Sequence, residues 1–260
     1  MRLVLLGTNG FLPTVAAQTA CFLLPEQGIL LDAGSGLYRL ADHWPGPELD
    51  IYLSHGHGDH VSGLHYLFGA IFKAQCTRAD APLTEETFPA LLKRTNALLD
   101  GVHIHATPVT LAELQGQFPH HRHWRPLQGQ EPLRGGGTLT PFLLAPTREE
   151  VGFRLDWPGH SLAYVTDTIA HPDAPYIREL VGVDLLLHEC NGPDRLAGLM
   201  RQIHHSHTSA VAQVAAQARV KRLILIHKNP LGLSLTADLP AARDIFPALE
   251  VGEDGMTLTF

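Results

Sequence analysis

His55-Gly56-His57-Gly58-Asp59-His60 places three imidazoles and a carboxylate within six residues, with two glycines loosening the backbone between them. The apolar run Ile51-Tyr52-Leu53 before it reads as a buried strand. Behind it, His60-Val61 through Leu64, Leu67 and Phe68 follow a helical pattern. The run therefore sits where a strand gives way to a helix, a usual place for sites in α/β folds. Imidazole and carboxylate donors together suit zinc, manganese or iron. The bland alternative is a solvated His-rich loop, and the spacing argues against it.

Composition bounds the rest. At 260 residues, one domain with a large core is expected. Apolar content of 45% and charged content of 17% read as a globular chain. A net charge of −7 disfavours broad contact with a phosphate backbone, which needs clustered Lys and Arg. Cys21, Cys76 and Cys190 are widely spaced with no CxxC pair, so they fit buried thiols in a reducing compartment. Leu3 to Leu6 is too short for the core of a signal peptide, and no apolar run is long enough for a membrane span. The expected location is the cytoplasm.

Residues 1–60 alternate short apolar strands with turns: Arg2–Leu6, Thr19–Leu24, Gly28–Asp32 and Asp50–Leu53, with a helix over Gly36–Asp42. A helix over 61–73 follows the His run. Pro82-Leu83-Thr84-Glu85-Glu86 looks like a helix start capped by Thr84, backed by an apolar face of Leu91, Leu92, Leu98 and Leu99. The less regular stretch from about 71 to 135, with His103 and His105, reads as an inserted cap. After the turn Gly135-Gly136-Gly137, strands are expected at Thr138–Leu144, Val151–Trp157 and Ser161–Thr166. Val183–Leu187 and Arg222–Ile226 are continuous apolar runs, as strands buried on both faces are, and Ser209–Ala218 between them is helical. This order suits an α/β fold, a four-layered αβ/βα sandwich with the site at the sheet edges. Trp124, Trp157 and the Leu64/Leu67/Phe68 stripe read as packing. Gly7-Thr8-Asn9-Gly10 is not a phosphate loop, since it lacks the Gly-Lys-Ser/Thr ending.

H-x-H-x-D-H behind a strand resembles the signature of the metallo-β-lactamase fold superfamily. Leu6-Gly7-Thr8-Asn9-Gly10 to Pro13 and Leu30-Leu31-Asp32-Ala33-Gly34 are similar to the opening of its ribonuclease Z-like, small-molecule phosphodiesterase branch. Tyr164-Val165-Thr166-Asp167-Thr168, Leu187-His188-Glu189-Cys190 and Leu223-Ile224-Leu225-Ile226-His227 follow in that branch's order. The likeness runs from residue 1 to 227, with 71–135 unmatched, and implies one such domain over 1–260.

The resemblance implies two divalent metals, Zn2+ or Mn2+. His55 and His57 fall on the first, Asp59, His60 and His227 on the second, and Asp167 between them. Relatives carry a further first-metal His about six residues before a Gly-aromatic pair. Here that pair is Gly152-Phe153 and the position is Pro146, which offers no ligand atom. Another residue replaces it, with His160, His120, His121, His123 and Glu149 as candidates; or one metal binds; or the protein is inactive. We take the first reading. The resemblance also implies a His that acts as general acid, His205 by an ungapped match or His207 with one gap, oriented by Glu189. His205, His207 and Glu189 belong with Asp59 to the expected catalytic set. The segment 204–207 also reads as a helix start capped by Ser206 or Thr208.

The implied reaction is attack of a metal-bound hydroxide on a small or cyclic phosphodiester. A hydrolase of esters, lactones or thioesters, and a non-catalytic metal- or ligand-binding relative, stay open. Transfer RNA is not the expected partner. Only the 21 residues 168–188 separate Asp167 from Glu189, too few for the long RNA-gripping arm of the RNA-processing relatives. A small molecule is the expected partner, no membrane is, and the resemblance leaves room for a homodimer.

Overall fold

The computed structural model describes residues 1–78, 83–145 and 149–260. Its apolar runs pair into two sheets. In chain order the strands are β1 (Arg2–Gly7), β2 (Cys21–Leu24), β3 (Ile29–Leu31), β4 (Leu49–Tyr52), β5 (Val102–Ala106), β6 (Trp124–Pro126) and β7 (Glu131–Leu133). They continue as β8 (Gly137–Leu143), β9 (Val151–Trp157), β10 (His160–Val165), β11 (Leu185–Glu189), β12 (Leu223–Ile226), β13 (Leu249–Val251) and β14 (Thr257–Thr259). The first sheet runs β14-β1-β2-β3-β4-β5-β6 and the second β13-β12-β11-β10-β9-β8-β7. Pairing is parallel from β3 to β6 and from β10 to β13. Elsewhere it is antiparallel.

Strand side chains alternate between two buried faces, which explains why the central strands read as unbroken apolar runs. Leu3 and Leu5 meet Ile224 and Ile226 between the sheets. Val4 and Leu6 point the other way, toward Leu37, Leu64 and Ile71. Leu223 and Leu225 pack outward on Val211, Val214 and Ala242. Ser35–His43 and Leu67–Arg78 thus cover one sheet, Thr208–Ala218 and Leu239–Ile245 the other. This is the expected four-layered αβ/βα sandwich. Among the described residues, no helix is long and apolar enough to cross a membrane.

Several expectations need correction. Three short strands of the stretch from 71 to 135 join the sheets: β5 and β6 extend the first sheet, and β7 edges the second. Val102, Ile104 and Ala106 are buried, while His103 and His105 alternate with them. The helix behind Pro82 spans Phe88–Leu99 with Thr87 at its N-cap, one turn later than Thr84. Pro82 itself lies outside the described residues. The helix expected at 61–73 is broken into Gly58–Val61, Ser62–Tyr66 and Leu67–Arg78. One cause is Gly63, whose N–H donates to Ala33 O at 2.8 Å instead of to its own helix.

Candidate metal centre

The parallel strands all end toward one rim, and the polar residues gather there. Asp32 follows β3, His55 follows β4, Asp167 follows β10, Glu189 closes β11 and His227 follows β12. Asp32, Asp167 and His227 have φ of 54°, 42° and 54°. Non-glycine residues enter this left-handed region at a cost of about 1–3 kcal/mol, and such strain concentrates where side chains must converge.

Two groups of ligand atoms meet across Asp167. One is His55, His57 and Asp167; the other is Asp59, His60 and His227. Asp167 Oδ2 lies 3.5 Å from His55 Nε2 and 3.9 Å from His57 Nδ1. Its Oδ1 lies 3.2 Å from both His60 Nε2 and His227 Nε2. Asp59 Oδ2 is 3.3 Å from His60 Nε2 and 3.1 Å from His227 Nε2, and those two nitrogens are 3.3 Å apart. A tetrahedron with zinc-like bonds has edges of about 3.3 Å, so Asp59, His60 and His227 already have the spacing of three such ligands, and Asp167 Oδ1 stands at that spacing from both imidazoles.

Asp32 holds this arrangement from below, and the sequence reading had given it no role. The carboxylate is fully buried and accepts from Ser54 N at 2.7 Å, Ser54 Oγ at 2.8 Å and Tyr164 OH at 2.5 Å. It also takes the His60 Nδ1 proton at 2.6 Å. That orients the His60 ring with Nε2 facing the cluster, where its lone pair serves once a metal displaces the proton. The signal was present as a buried-strand run ending in an acid, Leu30-Leu31-Asp32. Gly10, in the opening turn, stands against the cluster. A Cβ there would lie 2.8 Å from His227 Cε1 and 2.9 Å from Nδ1. Of the two glycines in the His run, Gly58 has open space around it, whereas a Cβ on Gly56 would meet Glu113 Oε2 at 2.8 Å.

His205 and His207 part company. His205 Nδ1 is 3.3 Å from Oε1 of Glu189, which is fully buried and also accepts from Ser206 N at 2.9 Å and Thr168 N at 3.2 Å. The His205 ring stacks on His227 at 5.3 Å, and its ligand atom falls within the Asp167–His227 group. His207 instead sits at the N-cap of Thr208–Ala218 and pairs with Asp194 Oδ1 at 2.7 Å. It joins none of the candidate ligand groups among the described residues.

The candidates for a replacement first-metal ligand stay away. His160 opens β10, at the end opposite Asp167, beside Phe260. His120, His121 and His123 line a separate cavity. Glu149 is exposed and in no group among the described residues. Pro146 lies outside the described residues.

The electrostatics suit a cation. Burial opposes ionisation of Asp167, but the imidazoles of His227, His60, His55 and His57 hold its carboxyl well below the usual range. Burial likewise opposes a charge on His60, and the carboxylates of Asp167, Asp32 and Asp59 outweigh it and raise the pKa well above the ordinary value. Burial and His60 push His55 down, keeping its lone pair available. In the bare protein, protons balance the converging carboxylates; a divalent ion does the same with the donors unprotonated. The donor set therefore fits the metal that the fold implies.

Two helix-backed sheets with this cluster on their parallel rim define the class: a hydrolase of the metallo-β-lactamase fold, dependent on a divalent metal. Residues 27–228 match the family model of the beta-lactamase superfamily domain, and the chain belongs to that superfamily. Ribonuclease Z of Synechococcus sp. (strain WH7803) is 26% identical over 316 aligned positions, covering 99% of this chain and 96% of the relative. The metallo-beta-lactamase fold protein YhfI of Bacillus subtilis superposes with a TM-score of 0.75 at 20% identity, over 99% of this chain and 98% of that one. A diphosphatase from the PhnP family superposes with a TM-score of 0.70 at 18% identity, over 100% and 98%.

Proposed function

We propose that this chain, acting as one domain, hydrolyses a small or cyclic phosphodiester with zinc or manganese in the cluster. The observation that carries the reading is His205. Its ring stacks on His227, beside Asp167, and is aimed by a buried glutamate that two backbone N–H groups hold still. A departing alkoxide needs a proton, and an imidazole next to the reacting centre supplies it near neutral pH. Glu189 keeps the imidazole in that orientation and stabilises it when protonated.

Asp59, His60, His227 and Asp167 would hold one ion, and His55, His57 and Asp167 the other. A bound divalent ion supplies Lewis-acid chemistry, lowering the pKa of water and drawing charge from the phosphoryl oxygens. Asp32, Ser54 and Tyr164 position His60 and His55 for that task. His207 is tied to Asp194, which accepts from Ser209 N at the start of the helix Thr208–Ala218.

The choice of substrate rests on chain length and relatives. The curated relatives are named ribonuclease Z, which counts against setting RNA aside. Two observations favour a small substrate. Residues 168–188 fold back on the second sheet, with Ala170, Tyr176, Ile177, Leu180 and Val183 buried there. An alignment of 316 positions against 260 residues leaves at least 56 positions of the Synechococcus relative without a counterpart here. The diphosphatase neighbour is in keeping with a small phosphate-bearing substrate. The test is turnover of bis(4-nitrophenyl) phosphate, 4-nitrophenyl acetate and a transfer-RNA precursor, each with added Zn2+ or Mn2+. Phosphodiester turnover without RNA processing is expected. Ester turnover alone, RNA cleavage, or no activity with either metal would sink the proposal.

A further inference from the structure

A second cavity lies away from the metal cluster, with a volume of about 720 Å3, within the size range of small-molecule sites. It is formed between the segments 64–68, 96–104 and 117–123. Leu64, Val102, Ile104 and Phe118 make an apolar floor and are nearly or fully buried. Phe68 adds an aromatic face and is still 38% exposed. The rim is different in kind, with His65, His120, His123 and Arg122 on it and Asp100 as its one carboxylate. His65 packs against the edge of the floor, its ring 4.6 Å from that of Phe118 and tilted by 45°.

One polar atom in this wall lacks a hydrogen bond, although its side chain is 35% exposed. His123 Nε2 is buried without a hydrogen-bond partner, and its nearest ion-pair carboxylate oxygen, Asp100 Oδ1, is 3.9 Å away. A buried imidazole nitrogen left without a partner is costly whether it donates or accepts, and on a cavity wall it offers a bonding position to a bound molecule. Among the surrounding side chains Arg122 is a permanent cation with donors only, and the histidines and amides can donate as well. They call for an acceptor, preferably an anion. The floor calls for a flat apolar body.

We propose that this cavity is a binding site for a planar aromatic molecule carrying one anionic group, seated on Phe118 and Phe68 with its charge toward Arg122 and His123. Nothing in the hydrolytic reading requires the site. Its two walls do lead toward the metal loop. Leu64 and His65 lie in Ser62–Tyr66, which directly follows the helix bearing Asp59 and His60. Gln117 and Phe118 follow Pro108–Gln115, whose Glu113 and Thr110 lie against Gly56.

The probe is 2-naphthoate, titrated calorimetrically, with 2-naphthylmethanol as its uncharged counterpart. Trp124 is a built-in reporter, since its ring is 6.2 Å from His121 on the cavity wall. One naphthoate per chain is expected, with quenching that Trp124→Phe removes while the heat remains. Arg122→Ala should weaken binding about tenfold, as should loss of the carboxylate from the probe. Ala97→Trp fills the cavity from an exposed wall position and should abolish binding, its fold checked by circular dichroism. If that variant does not fold, Arg122→Ala and the uncharged probe still decide. Absence of binding at millimolar naphthoate, or equal affinity in Arg122→Ala, overturns the proposal. A signal that survives in folded Ala97→Trp places the probe elsewhere, at the metal cluster for example, and also overturns it.

Discussion

Asp32 and His205 show how single residues are made into parts of a site by what holds them. Asp32 touches no ligand group except through His60 Nδ1, yet it receives four hydrogen bonds at 2.5–2.8 Å in full burial. Asp32→Asn keeps the shape but loses an acceptor for the imidazole proton. Removing such a supporting carboxylate lowers metal affinity about 10–100-fold, and competition against a chromogenic chelator should read that loss. Unchanged affinity would mean that His60 needs no such support. His205→Ala should reduce phosphodiester kcat by about 10^2–10^4, the usual range for a general acid. His207→Ala should leave kcat within a few-fold and cost up to about 1 kcal/mol of stability, since its partly exposed pair with Asp194 is screened. A reversed pattern would exchange the two roles. The sequence alone could not separate these histidines, because they lie two apart in His204-His205-Ser206-His207. The separation comes from Glu189 and Asp194, which the fold brings up from other segments.

Elements were legible in proportion to how completely they are buried. β10, β11 and β12 announce themselves as apolar runs because both faces are covered. β5 and β6 were taken for a cap because the first alternates Val, Ile and Ala with His and the second is three residues long. A half-exposed strand and a very short edge strand both carry a weak pattern. β11 departs from its apolar run at His188 and Glu189, and the first of these yields a pH prediction. His188 Nδ1 donates to Glu189 O at 2.8 Å, and its Nε2 accepts from Tyr176 OH at 3.0 Å. Both nitrogens are used by the neutral ring, and burial pushes its pKa down to about 4. The unfolded chain binds this proton near pH 6.5, the folded chain only near 4, so between these values the unfolded state holds more protons. The stabilising contribution is therefore present above pH 6.5 and is lost as pH falls toward 4, on the order of 3 kcal/mol in all. Urea unfolding of the chelator-treated protein at pH 7, 5.5 and 4.5 should show this decline, and His188→Gln should flatten it. Parallel curves for the two proteins would remove His188 from the account.

At the scale of the molecule, the cluster joins what the fold otherwise holds together by apolar contact. His55, His57, Asp59 and His60 come from the first sheet's side, Asp167 and His227 from the second. A bound ion therefore bridges the sheets, and its binding energy adds to the stability of the whole chain. The two positions are not equivalent. Around the second, His60 and His227 are 0% and 1% exposed, and Asp32 locks one of them. At the first, His57 is 63% exposed and its nearest contacts are His55 and the 3.9 Å approach of Asp167. The position that relatives fill with a further His is Pro146 here, so nothing in the sequence makes up the deficit at that point. Fewer, looser donors mean faster exchange and lower affinity. Chelator titration followed by metal analysis should therefore remove one ion per chain early and the other only at much higher chelator. His57→Ala should leave the tightly held ion in place, whereas Asp59→Asn should release it. Saturation at 100 times Kd contributes about 2.7 kcal/mol, which for a chain of this size is on the order of 5–10 °C in Tm. Most of that shift should accompany loss of the second ion. If both ions leave together, or His57→Ala empties both positions, the two sites act as one unit and the inequality read from their burial is wrong.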